Sequence, residues 1–295
     1  MLNYWWVTRP KRKLDSIPEI LACCSRVTNE CEWQGNTYTH LAFEKALEED
    51  GLKRPGERKD QRGGGGRTYY AWLFSLGLVF TEEKTGQTRL TLAGEAIVAG
   101  KNPVETLSNQ VIKYQIPSPF SLSPSSSKTR VTNRFAIRPF RFLLKLLLDE
   151  RLEGYITQEE LARVIVVEAT DETEEIYEYV VEKVLSYRED GISSLSETFF
   201  SDYAPSTGKV NIMHPYSHLD DLANTLINWL EYTQLIVRSS RSFSLAPDKT
   251  ETVINILNDG SAMIDKPESQ ESFQRRYGLD LYSFEDVRTF KKIKE

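Results

Sequence analysis

The sequence predicts a mainly α-helical chain with short β-hairpin wings, and three observations point there. Residues 38–92 run helix, glycine-bearing basic connection, second helix, then two β-rich runs flanking a turn. Residues 219–257 repeat part of that order as a helix, a hairpin pattern and a further helix. The 295 residues, 40% hydrophobic and 27% charged, suffice for two ordinary globular domains. Helix, turn, helix and two-stranded wing is the order of a winged helix-turn-helix, so the expected fold is two such subdomains in tandem. The expected boundaries are a basic subdomain at 1–116, a linker at 117–134, and an acidic helical subdomain with the second winged element at 135–295.

In chain order, Tyr4, Trp5 and Trp6 are expected to anchor a short strand, and Arg9, Lys11, Arg12 and Lys13 follow as a basic arm. A helix at 17–27 begins with Ser16 as cap and Pro18 in its first turn. A second, at 38–49, turns Leu41, Phe43, Ala46 and Leu47 to the core and ends at Gly51. A third, at 68–76, carries Tyr69, Trp72, Leu73 and Leu76 on one face and closes at Gly77. The runs around Lys84, Thr85 and Gly86 form a hairpin, and helices follow from Ala93 and over 103–115. Residues 117–127, rich in proline and serine, read as a loop. Beyond it lie an apolar helix at 140–148, a helix start at Thr157, an acidic helix at 174–187 and a looped stretch at 195–208. A helix at 219–232 precedes the hairpin pattern of 235–245, with Arg238 and Arg241 at its turn. Pro247 opens a helix to Leu257, and 273–290 is helical in pieces.

The net charge of −6, taken alone, discourages a polyanionic partner. Its distribution reverses that inference. Residues 1–145 hold 22 Lys+Arg against 14 Asp+Glu, a net of +8, and the remaining 15 against 29 leave −14. A basic front half is the electrostatic footprint of a DNA reader. One cluster is 54–72, where Arg54, Arg58, Lys59, Arg62 and Arg67 accompany four consecutive glycines, Gly63 to Gly66. Glycine lets the backbone approach a ligand closely, and the N–H groups opening a helix suit an anion. Two readings stand: a DNA-docking element, or a flexible basic surface loop. A second cluster, Lys128, Arg130, Arg134, Arg138 and Arg141, meets no acidic residue before Asp149, which favours an intermolecular partner. The arm at 9–13 reads equally as a solvated terminus or as a segment laid along phosphates or in a minor groove.

Other chemistries find little support. No stretch approaches the ~20 apolar residues of a membrane span, and the start lacks the order of a secretory signal. Three cysteines, Cys23, Cys24 and Cys31, argue for a reducing cytoplasm over a disulfide framework, and His40 is the nearest fourth ligand for a metal. Glu57-x-Lys59 and Glu82-x-Lys84 match the short half of a nuclease pattern but lack the apolar strand that carries it. His214 and His218 have metal-like spacing with no acidic or cysteine partner fixed beside them.

Several stretches resemble one family: Tyr4-Trp5, Arg9-Pro-Lys-Arg-Lys-Leu14, Arg58-Lys-Asp-Gln-Arg-Gly-Gly-Gly-Gly-Arg-Thr-Tyr69, Leu90-Thr-Leu-Ala-Gly-Glu-Ala96, Ile137-Arg-Pro-Phe-Arg-Phe142, and Tyr277-Gly278 with Ser283-Phe-Glu-Asp286. Together they look like the recognition region of the AlwI family of type IIS restriction endonucleases, which includes strand-specific nicking enzymes. The resemblance implies a longer parent with a C-terminal Mg²⁺-dependent nuclease domain, absent from this chain. No catalytic carboxylate of the family carries onto this sequence. The expectation is a non-catalytic recognition part, without a cofactor of its own. It would bind a short asymmetric duplex site as a monomer, in the cytoplasm and away from membranes.

On this reading Gln61, Arg62, Arg67 and Tyr70 contact bases, with arginine donating to guanine and Gln61 reading adenine. The backbone contacts are Arg9, Lys11, Arg12, Lys13, Arg54, Arg58, Lys59, Gly64, Gly65, Lys84, Lys128, Arg130, Arg134, Arg138 and Arg141. The alternative is a self-contained winged-helix transcriptional regulator, which predicts a symmetric dimer on a palindrome. A complete enzyme with a hidden metal site and a protein-interaction scaffold are the further rivals.

Overall fold

The computed structural model describes residues 1–28, 30–56, 61–118, 131–205, 213–264 and 269–279. In chain order the elements are α1 (Ile17–Thr28), α2 (Thr37–Glu49), α3 (Gly64–Ser75), β1 (Val79–Thr81), β2 (Thr88–Leu90), α4 (Leu92–Val98) and α5 (Pro103–Lys113). Next come α6 (Pro139–Leu147), β3 (Tyr155–Thr157), α7 (Gln158–Glu160), a π-helical turn (Leu161–Ile165), α8 (Val166–Glu168), α9 (Glu174–Asp190) and α10 (Phe199–Asp202). The last are α11 (Ser217–Tyr232), β4 (Ile236–Arg238), β5 (Ser242–Leu245), α12 (Thr250–Leu257) and α13 (Gln270–Tyr277). Among the described residues the protein is mainly helical with two small antiparallel sheets, β1-β2 and β3-β5-β4.

The chain divides into two compact units, each discontinuous in sequence. One joins Leu14–Gln110 to Ile264–Glu295, and we call it the loop-bearing unit. The other joins Met1–Lys13 to Val111–Met263, and we call it the arm-bearing unit. These bounds differ from the expected division at both ends of the chain.

In the loop-bearing unit α1 buries Ile17, Ile20, Leu21 and Cys24, the i, i+3, i+4, i+7 stripe of a helix facing a core. α2 is capped by Asn36, whose side chain accepts from the Thr39 N–H at 3.2 Å. It ends at Gly51, with φ +70°, where the Leu52 N–H turns back to the Leu47 carbonyl at 2.8 Å. α1, α2 and α3 pack on one another around Phe43, Leu47, Trp72 and Leu73, all fully buried. The β1–β2 hairpin pairs Val79 with Leu90 and Thr81 with Thr88. Of the stretch 273–290, expected to be helical in pieces, residues 273–277 lie in α13, which packs here on β1. Gln274 Nε2 donates to the Phe74 carbonyl at 2.6 Å, and the Ala93 N–H to the Gly278 carbonyl at 2.8 Å. Positions from 280 onward lie outside the described residues.

In the arm-bearing unit Trp5 is fully buried, its backbone N–H on the Val166 carbonyl and its indole N–H on the Ala169 carbonyl, each at 2.8 Å. The expected N-terminal strand reduces to a single bridge between Leu2 and Val131. The anchor is one indole, and no ladder is needed. Phe140 stacks on Trp229 with centroids 6.1 Å apart, and Tyr114 meets both rings edge-on. β3 joins β5 as a third strand beside the expected hairpin. Thr157 and Glu160 form a capping box where the helix start was expected. Residues 195–208, expected to be looped, contain the short helix α10 among the described ones.

Candidate nucleic-acid interface

The glycine run is not a loop ahead of the third helix. α3 begins at Gly64, four residues before the expected start, so Gly64 to Gly66 form its first turn. Gly63 is the cap, at φ +74° and ψ 38°, a conformation that suits glycine. A Cβ on Gly63 would lie 2.6 Å from both the carbonyl carbon and the Cβ of His40. One on Gly66 would lie 2.5 Å from the His40 carbonyl oxygen and 3.1 Å from the Glu44 nitrogen. The glycines therefore let the start of α3 press onto α2, backbone against backbone.

That contact carries the anion the sequence led us to expect from a ligand. The Glu44 carboxylate, 5% exposed, accepts the N–H groups of Gly65 at 3.2 Å and Gly66 at 3.5 Å. It satisfies orphan donors at the helix start and meets the positive end of the helix. Lys53 Nζ bridges Glu44 at 3.1 Å and Glu48 at 2.7 Å. Burial alone would lower the Lys53 pKa, but its hydrogen bonds to Glu48 and Glu44 carry it above the ordinary lysine value. The expected backbone contact at Gly65 is corrected accordingly, since its N–H is taken by the protein's own carboxylate. Gly64 is partly exposed beside it.

The predicted side chains separate into three groups. Gln61, Arg62 and Arg67 stand exposed at the start of α3, and Arg54 and, at the hairpin turn, Lys84 are exposed in the same unit. Tyr70 is instead 5% exposed and stacks on Trp33 at 3.9 Å, with its hydroxyl 3.4 Å from Thr81 Oγ1. It is a core residue of α3, and burial pushes its phenol above the ordinary range. Arg58, Lys59, Lys128 and Arg130 lie outside the described residues, as does most of the expected linker.

In the arm-bearing unit the expectation that the arginines lack acidic partners is overturned by residues distant in sequence. Arg138 grips Glu172 through Nε at 2.8 Å and through Nη2, and gives Nη1 to the Ser261 carbonyl at 2.7 Å. Arg141, 6% exposed, pairs with Asp259 at 3.0 Å and donates to the Leu257 carbonyl at 3.1 Å. Both fasten the segment after α12. Arg134 is exposed yet donates to the carbonyls of Asn3, at 2.7 Å, and Val167. On the arm, Arg9 donates to the Val7 carbonyl at 3.3 Å and Arg12 pairs with Asp221 at 2.6 Å. Burial lowers the Arg9 pKa. Lys11 is half-buried and Lys13 exposed.

Sequence reasoning missed Glu44 and Lys53. Their only signal was Glu44 and Glu48 at i, i+4 with a lysine just past the helix-ending Gly51. The histidines serve backbone groups: His40 Nε2 donates to the Trp33 carbonyl and His218 Nε2 to the Tyr203 carbonyl, each at 2.7 Å. Cys23 and Cys24 are buried, and burial pushes both thiols up to about 12. Among the described residues no group of three or more His, Cys, Asp or Glu side chains is placed to hold a metal ion. No helix among the described residues is long and apolar enough to cross a membrane.

No curated protein matches the chain. Of 9 matching chains of solved structure, one is a BpuJ1 endonuclease binding domain in complex with pyrene- and phenanthrene-modified DNA. It matches with a TM-score of 0.61 at 16% identity, over 92% of this chain and 96% of that one. At that identity the likeness speaks for the fold. The AlwI restriction endonuclease family matches residues 74–283, well over half of the sequence. The chain belongs to the AlwI restriction endonuclease family.

Proposed function

We propose that this chain binds double-stranded DNA sequence-specifically, as the recognition part of a type IIS restriction or nicking endonuclease whose cutting domain is a separate, Mg²⁺-dependent module. The observation that carries the reading is the cluster of exposed Gln61, Arg62 and Arg67 at the start of α3 in a chain of a restriction endonuclease family. Support for DNA as the partner comes from the DNA-bound endonuclease binding domain that shares this fold. In this reading α2, α3 and the β1–β2 hairpin act as a winged helix-turn-helix, with α3 entering the major groove. Arg62 and Arg67 donate to guanine edges, each good pair worth ~1–3 kcal/mol of discrimination, and Gln61 reads adenine. Arg54 and Lys84 hold phosphates in the same unit. In the other unit the proposed backbone contacts among the described residues narrow to Lys11 and Lys13, because Arg12, Arg138 and Arg141 are committed to internal ion pairs and Arg9 and Arg134 to backbone carbonyls. The chain works as a cytoplasmic monomer on a short asymmetric site.

Selection of bound duplexes from a random oligonucleotide pool, followed by footprinting, tests this. The expected product is one asymmetric site covered by one chain. A palindrome covered by two chains would favour a winged-helix regulator, and failure to enrich any duplex at low salt would overturn DNA binding. Incubation with plasmid and Mg²⁺ is expected to leave the plasmid intact.

A further inference from the structure

Glu44 occupies the N-terminal end of α3, where a helix offers its N–H groups to an anion. Its carboxylate takes two N–H groups of the first turn of α3, is 5% exposed, and is balanced by Lys53 at 3.1 Å. Arg62 and Arg67, at the start of the same helix, are cationic and exposed. A short basic turn of this kind would otherwise clamp any DNA backbone irrespective of sequence, and such contacts carry no base information. We propose that Glu44 is a positioning residue that acts as a built-in phosphate mimic: it occupies the backbone cradle of α3, excludes the DNA backbone from it, and leaves the reading to side chains. This is specificity by blocking the wrong mode of binding. Lys53 holds the mimic in place, and Gly65 and Gly66 are glycines because the carboxylate and the α2 backbone leave no room for a Cβ. The inference rests on the proposed function, but one of its two readouts does not.

The first readout is the backbone amide signals of Gly65 and Gly66 during titration with inorganic phosphate, in the intact chain and in Glu44→Ala and Glu44→Gln. Phosphate is expected to leave the intact chain unchanged and to shift both amides saturably in Glu44→Ala. Glu44→Gln keeps an acceptor oxygen and the side-chain shape, and is expected to give a weaker shift and to lower the thermal midpoint less than Glu44→Ala does. The second readout is affinity over salt for a selected duplex and an unrelated one. Each variant is expected to hold the unrelated duplex about two- to fivefold more tightly at low salt, with a salt slope steeper by about 0.9, one further phosphate. Phosphate shifts in the intact chain, or no shift in either variant, overturn the proposal whatever DNA does. Equal loss of affinity for both duplexes with an unchanged slope would also overturn it, by reducing Glu44 to a structural part. An intact chain that binds neither duplex overturns the proposed function and leaves the phosphate readout to decide on Glu44.

Discussion

Replacing single glycines by alanine tests the close packing of α3 on α2, because the four positions Gly51, Gly56, Gly63 and Gly66 differ in what the added methyl meets. Gly56 has no neighbour within 4 Å and no positive φ, so Gly56→Ala should stabilise the chain by ~0.4–1 kcal/mol through the unfolded state. Gly51 also faces open space, but at φ +70°, so Gly51→Ala should cost ~1–2 kcal/mol of left-handed strain. Gly63 combines φ +74° with His40 backbone and Cβ at 2.6 Å. Strain of ~1–2 kcal/mol adds to overpacking of ~1–3 kcal/mol, giving about 2–5 kcal/mol. At Gly66 the ordinary φ removes the strain, and the better helix propensity of alanine returns ~0.5–1 kcal/mol against the same overpacking, leaving a net cost of up to about 2.5 kcal/mol. Urea denaturation of the intact chain reads all four as shifts in midpoint at constant slope. A cost for Gly63→Ala no greater than that for Gly51→Ala would refute the close packing, since a solvated glycine loop would treat the two alike.

Further expectations follow from the ion pairs. Arg188 binds Glu160 at 2.7 Å and the Leu152 and Tyr155 carbonyls at 3.0 and 2.7 Å. Arg188→Ala would strand a 4%-exposed carboxylate and should cost ~3–5 kcal/mol by thermal or urea unfolding; a cost under 1 kcal/mol would contradict that geometry. The hydrogen bond from Arg151 to the Asp149 carboxylate is the largest cause holding Asp149 at about 2, below its ordinary 3.8, and Tyr177 adds a second. A lowered carboxylate stabilises above its unfolded pKa, so this contribution, at most about 2 kcal/mol, is complete above pH ~5 and is lost as pH falls from about 4 towards 2. Asp149→Asn should flatten that part of the stability–pH curve. Arg141→Ala should destabilise the chain through loss of Asp259 and the Leu257 carbonyl, while the folded fraction keeps full DNA affinity.

Local signals in the sequence carried most of the helices and both hairpins. Asn36 and Thr157 cap helices by side-chain bonds within three residues, and Gly51 and Gly77 take the positive φ that ends a helix. What local signals could not carry was partnership over distance. Arg141 and Asp259 are separated by 118 residues, so a window around the arginine shows an unpaired cation. The amphipathic pattern of α13 states that one face is buried but not which unit buries it. β3 is three residues long, too short for an alternation to register. The glycine run was misread for a different reason: glycine marks loops statistically, but here it marks a close helix–helix approach, and only the His40 and Glu44 backbone reveals which.

The most direct test of side-chain readout at the start of α3 compares Arg67→Ala with Lys84→Ala, in competition binding across a selected site, its single-base variants and an unrelated duplex over a range of salt. The account predicts that Arg67→Ala loses ~1–3 kcal/mol on the selected site and relaxes preference at one base pair. Lys84→Ala should weaken every duplex alike and reduce the salt slope by about 0.9. Equal losses from both substitutions on all duplexes, with no position relaxed, would contradict it.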